Sequence, residues 1–371
     1  MKSKTLGIVF SNMHEQTMGK ITENRTMGSV PFGGRYRLID FILSNMINSG
    51  IHDVGIITKS NFQSLMDHLG TGKEWDLSRK HGGLSILPPY GTNEAVFYSG
   101  RLGALCNIAS YLKDSNAELV LMTDCDNIAS IDYNEIIDYH KSCGADITVV
   151  YQNKPITMTA NSDITTITMD EDRRVDGAFV NPERERGNVL LNITVIDKRL
   201  LERIISMAGS SNFYSFTNGV LQKGNRLLKI YGYEYKGYVA DIKSLKSYYN
   251  CSLELLNPQV RKELFPINRP VYTKVRDEVP VRYGIGASAQ NSMIADGSII
   301  EGTVENSIIF RGVKIGKGAV VKNSVIMQGT YVGANSYLDA VVTDKDVMIR
   351  DSKTLVGCKE YPLFIEKGTA I

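Results

Sequence analysis

Two architectures in series are expected of this chain: an α/β domain built on a largely parallel sheet, then a parallel β-helix of hexapeptide repeats. The first expectation rests on short β-rich runs that alternate with helical patterns up to about residue 250. The second rests on a tetrapeptide that recurs three times in the last third. A third observation separates them: four of the ten prolines (Pro258, Pro266, Pro270, Pro280) fall within Asn257–Arg282. That density reads as an extended linker, neither helix nor central strand. The expected division is 1–255, a linker over 256–282, and a repeat domain over 283–371.

Candidate strands are Leu6–Phe10, Val54–Thr58, Leu119–Thr123, Ile147–Tyr151, Val189–Ile196 and Leu227–Tyr235. Between the first two, Ile39, Ile42, Leu43, Met46 and Ile47 recur at helical spacing, the stripe of an amphipathic helix. Gly50 follows where a C-terminal cap belongs. A second helix is expected over Tyr133–Ser142, apolar at Tyr133, Ile136, Ile137 and Tyr139 and closed by Cys143-Gly144. In such a domain, sites gather at the carboxyl ends of the parallel strands.

The repeats are Asn291-Ser292-Met293-Ile294, Asn306-Ser307-Ile308-Ile309 and Asn323-Ser324-Val325-Ile326. Six residues after each Asn stands a glycine (Gly297, Gly312, Gly329), and nine after it a β-branched aliphatic (Ile300, Ile315, Val332). Polar corners flanking single buried aliphatics suit the coils of a solenoid. A fourth turn, Asp339–Met348, is degenerate, as capping repeats often are.

Composition narrows the function. With 43% hydrophobic and 22% charged residues the chain reads as an ordinary globular protein. A formal charge of +2 gives no global field for nucleic acid or an anionic membrane. The apolar run after Met1-Lys2-Ser3-Lys4 is too short for a signal peptide and reads as a buried first strand. No window reaches the length of a membrane span. Five scattered cysteines without a Cys-x-x-Cys pair argue against disulfides and zinc, and for reduced thiols in a cytoplasmic protein. Trp75 and Tyr90, near Gly82-Gly83, read as packing residues before they read as a sugar platform.

Residues 31–50, Pro-Phe-Gly-Gly-Arg-Tyr-Arg-Leu-Ile-Asp-Phe-Ile-Leu-Ser-Asn-Met-Ile-Asn-Ser-Gly, resemble the signature of glucose-1-phosphate adenylyltransferases, which make ADP-glucose for glycogen synthesis. The resemblance extends over nearly the whole chain. It implies a Rossmann-like nucleotidyltransferase domain followed by a left-handed β-helix. The family needs amides and cations for a triphosphate, carboxylates for Mg²⁺, and a cation for the sugar phosphate.

Its glycine-rich phosphate loop falls on Asn12–Thr17, which contains no glycine, and Thr17 stands at the loop arginine. Glu15 adds negative charge there. The family's Arg-Ala-Lys-Pro resembles Arg25-Thr26-Met27-Gly28, so Met27 replaces a lysine. Its Glu-Lys-Pro resembles Val180-Asn181-Pro182, so Asn181 replaces another. Its Gly-Thr-Ala-Asp-Ala resembles Gly100–Ala104, and its Ser-Met-Gly resembles Leu190-Leu191-Asn192. Asp126 is the retained equivalent of the catalytic aspartate. The second metal carboxylate belongs to Trp-x-Asp-Val-Gly-Thr; anchored on Ser244-Leu245, the motif aligns with Lys236–Asp241 and puts Tyr238 at the aspartate, with Asp241 three residues late.

The pattern therefore resembles the GlgD-type, non-catalytic subunit of that family. No catalytic residue, metal or cofactor is expected on this chain, Mg²⁺ belonging to a catalytic partner's site. The resemblance implies that partner, a homo- or hetero-tetramer, and an anionic sugar-phosphate or organic-acid effector. Arg35, Arg37 and Arg25 are the effector candidates, since guanidinium pairs favour bidentate anion binding; a structural salt bridge is the competing reading for them. An active adenylyltransferase with an atypical site is the alternative function. A hexapeptide acyltransferase fits poorly, because all five histidines precede residue 141 and the repeats lack a base.

Overall fold

The computed structural model describes residues 4–13, 15–88, 100–156, 164–211, 215–222, 224 and 227–371. Tyr90 lies outside them. The first domain is a nine-stranded mixed sheet. Its strands are β1 (Thr5–Phe10), β2 (Asp53–Ile57), β3 (Gly83–Leu87), β4 (Leu119–Asp124), β5 (Ile147–Pro155), β6 (Thr165–Met169), β7 (Val175–Val180), β8 (Arg186–Asp197) and β9 (Ile230–Glu234).

The order β9-β5-β8-β4-β1-β2-β3 runs across the sheet, with β6 beside the first half of β8 and β7 outside β6. In the run β4-β1-β2-β3 every neighbour is parallel, whereas β8 runs antiparallel to β4 and β5. Both faces of the central strands are covered, which is why they read as continuous apolar runs. Val9, Val54 and Leu121 enter one core, while Ile8, Ile57 and Met122 enter the other. Helix α1 (Leu38–Asn48) takes the expected stripe, and Gly50 follows it at φ +77°. Helix α2 (Tyr133–Ser142) is capped by Asp132, which accepts from the Asn134 amide at 2.9 Å.

The C-terminal region winds as a three-faced prism of three five-stranded parallel sheets. Each repeat position has a physical role there. Asn291, Asn306 and Asn323 turn their corners at φ +41° to +46°, and Gly297, Gly312 and Gly329 turn the next at +66° to +75°. These left-handed conformations favour Asn and Gly. Ile300, Ile315 and Val332 are buried inside. The serines stitch the coils: Ser307 N donates to Ser292 Oγ at 3.1 Å, Ser324 N to Ser307 Oγ at 3.0 Å, and Val341 N to Ser324 Oγ at 3.1 Å. In the degenerate fourth turn the same corners fall on Ala340 (φ +52°) and Asp346 (φ +59°). The coil continues there on backbone pairing and on side-chain bonds such as Asn323 Nδ2 to Asp339 Oδ1 at 2.8 Å and Met327 N to Thr343 Oγ1 at 3.1 Å.

One core runs through both domains, joining Phe32, Leu38 and Tyr248 to Ile308, Phe310, Val325 and Met327 of the solenoid. The signature forms much of this seam. Gly34, at φ +83°, brings the backbone so close that a Cβ there would lie 3.7 Å from Ala295 Cβ and Ile309 O.

The proline-rich segment departs from the extended linker that its composition suggests. Helix α3 (Leu245–Glu254) is followed directly by α4 (Pro258–Leu264), whose cap Asn257 accepts from the Gln259 amide at 2.9 Å. Pro258 occupies the first helical turn, where its missing N–H costs nothing. Beyond Pro266 the chain lies as a strap along α1: Tyr272 N donates to Ser44 Oγ at 2.8 Å and Asn48 Nδ2 to Pro270 O at 3.0 Å.

Candidate functional site

Two charged regions stand out. The first is the cleft at the carboxyl ends of β1, β2 and β4, where this type of sheet holds its ligands. After Phe10, Ser11 N donates to Ile57 O at 3.1 Å and ties the chain to the end of β2. Asn12 then closes on the neighbouring loop, accepting from Lys59 N at 2.8 Å and donating to Ser60 O at 3.2 Å and to Glu15. Thr17 lies in the tight helical turn Glu15–Thr22, whose Thr22 hydroxyl donates to Glu15 O at 2.8 Å. Burial pushes the Glu15 carboxyl up to about 7 despite its bond to Asn12. Asn12, Glu15 and Thr22 bond within this segment and to its neighbouring loop, and Asn12–Thr17 has no glycine with which to form a phosphate-binding nest of amides.

Met27 is fully buried in the core. Asn181 is exposed in a left-handed turn (φ +49°) and is used locally, its amide donating to Ile164 O at 2.7 Å and its side chain accepting from Ile164 N at 2.9 Å. Trp75 is buried edge-on against His68, a packing residue and not a platform.

The second metal-type carboxylate needs a correction. Tyr238 is directed away from the cleft, its hydroxyl donating to Glu254 at 2.6 Å and its amide to Glu263 at 3.0 Å. Asp241 is the residue that meets Asp126. The pair Ala240–Asp241 runs antiparallel to Asn127–Ile128, with Asp241 opposite Asn127 and Ile242 N donating to Asp126 O at 2.8 Å. The Trp-x-Asp-Val-Gly-Thr pattern thus falls on Val239–Ser244, three residues later than the anchor suggested, and Lys243 stands at its glycine. The sequence alignment stretched the motif by trusting a Ser-Leu match; the strand register removes that freedom.

Three carboxylates therefore gather here, each with a basic side chain beside it or nearby. Arg101 Nη2 lies 2.5 Å from Asp124 Oδ2. Lys154 Nζ lies 2.8 Å from Asp241 Oδ2, and Lys243 Nζ lies 3.2 Å from Asp241 Oδ1. Burial works to lower the Lys243 ammonium, but Asp241, Asp126 and Asp124 outweigh it and hold it above its ordinary value. Burial likewise works to raise Asp241, and Lys243 and Lys154 bring it down to about 2. Among the described residues no group of three or more His, Cys, Asp and Glu could hold a metal ion.

The second region is a small solvent-open pocket, about 40 Å³ in volume, between the signature, the strap and the solenoid. Arg35, Arg37, Lys274, Arg276, Arg311 and Lys345 all line it, and among the described residues no carboxylate does. Arg37 donates to Ser64 O and Ser64 Oγ (2.5 and 3.0 Å), and burial brings it down to about 10. Lys345 is brought to about 7 by burial, by Arg37 and Arg25, and by Arg276, against the pull of Asp344. Arg25 lies behind the wall, buried and paired with Asp344 at 2.8 Å, while its Nη1 has no hydrogen-bond partner. Arg311 is shared with Asp296 at 3.1 Å.

The structure thus brings Arg35 and Arg37 together with four cations that sequence reading missed. A signal existed for two of them. Arg311, Gln328 and Lys345 recur at a spacing of 17 residues, each just before a left-handed corner, and so form one column of the solenoid. Lys274 and Arg276 lie on the strap and carried none.

Residues 18–255 match the family described as "Nucleotidyl transferase", and residues 279–361 the family "GlmU-like, C-terminal hexapeptide". The repeat region is accordingly a left-handed parallel β-helix. The chain is 34% identical over 366 residues to "Glycogen biosynthesis protein GlgD" of Bacillus subtilis (strain 168), covering 99% of this chain and 96% of that protein. It is 37% identical over 374 residues to the protein of that name from Geobacillus stearothermophilus (100% and 98% covered). It is 38% identical over 310 residues to "Glucose-1-phosphate adenylyltransferase" of Thermotoga neapolitana, covering 82% of this chain and 73% of that enzyme. The chain belongs to the nucleotidyl transferase family, in the group formed by the glucose-1-phosphate adenylyltransferases and the GlgD proteins.

Proposed function

We propose that this chain serves glycogen biosynthesis as a regulatory, catalytically deficient subunit of glucose-1-phosphate adenylyltransferase, modulating a partner that converts ATP and glucose 1-phosphate to ADP-glucose and pyrophosphate. The single observation that carries the reading is the contrast between its two charged regions. The cleft has no glycine in Asn12–Thr17, where the family's phosphate loop falls, and meets its own carboxylates with Arg101, Lys154 and Lys243. The pocket holds six cations against no lining carboxylate, a field suited to a multiply charged anion such as a sugar phosphate or organic acid. The family match begins at residue 18, beyond the altered segment Asn12–Thr17. The nearly end-to-end cover of both GlgD relatives supports the same reading.

Regulation requires that this subunit bind the partner's active and inactive states unequally, since a binder indifferent to state shifts nothing. An effector seated at the seam between sheet domain and solenoid would bias how the two meet, within a homo- or hetero-tetramer. The alternative, an active enzyme with an atypical site, draws on one observation: Asp241 stands on the strand paired with Asn127–Ile128, directly after Asp126. The test is an assay of the purified chain alone and mixed with the catalytic subunit of the same cell, with and without an anionic effector. Negligible turnover alone, with a several-fold change in the partner's half-saturation in the mixture, is the expected result. Sustained pyrophosphate-dependent turnover by the isolated chain would transfer the case to the alternative. Partner curves that ignore the added chain would remove the regulatory reading.

A further inference from the structure

In the cleft, Asp241 lies opposite Asn127 and Ile242 N donates to Asp126 O at 2.8 Å, so the two carboxylate residues that a divalent-cation site would use come from adjoining backbone. A divalent cation of the Mg²⁺ class needs oxygen lone pairs at about 2.0–2.6 Å and keeps its distance from other positive charge. The residues here do not fit it. Asp241 has an ammonium on each oxygen, Lys154 at 2.8 Å and Lys243 at 3.2 Å, and Arg101 covers Asp124. We propose that Lys243 is a built-in cation that stands in for a divalent metal and masks a latent metal site formed by Asp126 and Asp241.

The local fold holds Lys243 in place from both sides. On one side the bridge of Ala240–Asp241 to Asn127–Ile128, and the bond from Ile242 N to Asp126 O, fix the preceding backbone. Ile242 itself is fully buried. On the other side Lys243 N donates to Ser247 Oγ at 2.9 Å, and Ser244 caps α3 by accepting from the Ser247 amide at 3.1 Å. The stem therefore leaves a rigid corner, and its ammonium reaches the carboxylates without a mobile loop. A side chain at this corner adds one positive charge, and Lys154 a second, next to the oxygens that a metal would need. The two lysines neutralise those oxygens as a divalent ion would, so the acidic corner persists with no bound metal. An ammonium supplies charge but no open coordination position and polarises no ligand as a metal does.

The experiment measures Mn²⁺ binding by electron paramagnetic resonance on the full chain, with no nucleotide and no partner. The wild-type protein is expected to leave Mn²⁺ free at concentrations where the Lys243→Gly variant retains one ion per chain. That gain should be tenfold or more in affinity and should vanish in Lys243→Gly/Asp126→Asn and Lys243→Gly/Asp241→Asn. Lys243→Met, which keeps the stem and removes the charge, covers the case in which the glycine variant fails to fold. Folding of each variant is checked by circular dichroism. A wild-type site of equal affinity that Asp126→Asn abolishes would overturn the proposal. So would a folded, charge-free variant that binds Mn²⁺ no better than wild type. The readout involves neither turnover nor the cationic pocket, so its failure is separable from that of the regulatory reading.

Discussion

The cleft and the pocket both draw on the domain that bears the signature, and each collects charge. In the cleft, Asp124 and Asp241 are met by Arg101, Lys154 and Lys243, so fixed charges of opposite sign are within direct contact. In the pocket, burial first and then the charges of Arg37, Arg25 and Arg276 pull Lys345 toward neutrality. A neutralised cluster stabilises the empty protein and gains little from a charged ligand. A frustrated one is costly when empty and gains from an anion, because binding relieves repulsion that the fold enforces. Binding capacity thus follows the charge left uncompensated, which a count of charged residues does not reveal.

The largest test of that contrast concerns the ion pair behind the pocket. Arg25→Met leaves Asp344 buried without its partner, which should cost about 3–5 kcal/mol in urea unfolding. Lys154→Ala in the cleft leaves Asp241 still held by Lys243 and partly exposed, and should cost within about 1 kcal/mol. Equal losses would mean that the two regions are not built differently.

Next is anion binding itself. Titration with inorganic phosphate or a sugar bisphosphate should raise the melting temperature, and the effect should weaken with salt. Arg37→Ala removes a charged hydrogen-bond donor worth about 1.5–3 kcal/mol, roughly ten- to a hundredfold in affinity. Arg311→Ala should fall at the low end, because Asp296 already shares that side chain. Substitutions of Lys154 and Arg101 should leave anion affinity unchanged.

Stability rises with pH in both regions, but in separate windows and for different reasons: in the pocket a penalty fades, in the cleft a stabilising contact forms. Lys345 sits near 7 when folded, below its ordinary value, so the unfolded chain binds more protons between about pH 7 and 10. Its penalty is full below 7 and fades as pH rises toward 10. Asp241, near 2 when folded, gives stability that is full above about 4 and is lost as pH falls toward 2. An anion that re-protonates Lys345 should take up a proton on binding at pH 8. Calorimetry in buffers of different ionisation enthalpy would detect it, and Lys345→Met should abolish the dependence.

The smallest effect lies outside both regions and serves as a control. Ala340→Gly relieves a left-handed corner and should stabilise by a few tenths to about 1 kcal/mol, with no change in anion binding.

Much of the fold was legible because it depends on local and periodic constraints. The apolar runs of β1 and β4, the stripe of α1 and the ends of α2 follow from burial and capping within a few residues. The Asn and Gly corners of the solenoid are legible for the same reason, since a left-handed φ selects residue type directly. α4 escaped because prolines were read by composition and not by position, and Pro258 at a helix start is favourable. Of the cationic pocket, the motif held Arg35 and Arg37, and a 17-residue column held Arg311 and Lys345. The sequence by itself determined which residues repeat, which are apolar and which family pattern they follow. Only the tertiary structure decided that Asp241 and not Tyr238 pairs with the strand that follows Asp126, that Lys243 sits on the Asp241 carboxylate, and that six basic side chains from the signature, strap and solenoid share one pocket. Those outcomes depend on strand register and on contacts between segments hundreds of residues apart, and pairwise Coulomb energies are set by distances in space that chain position does not encode.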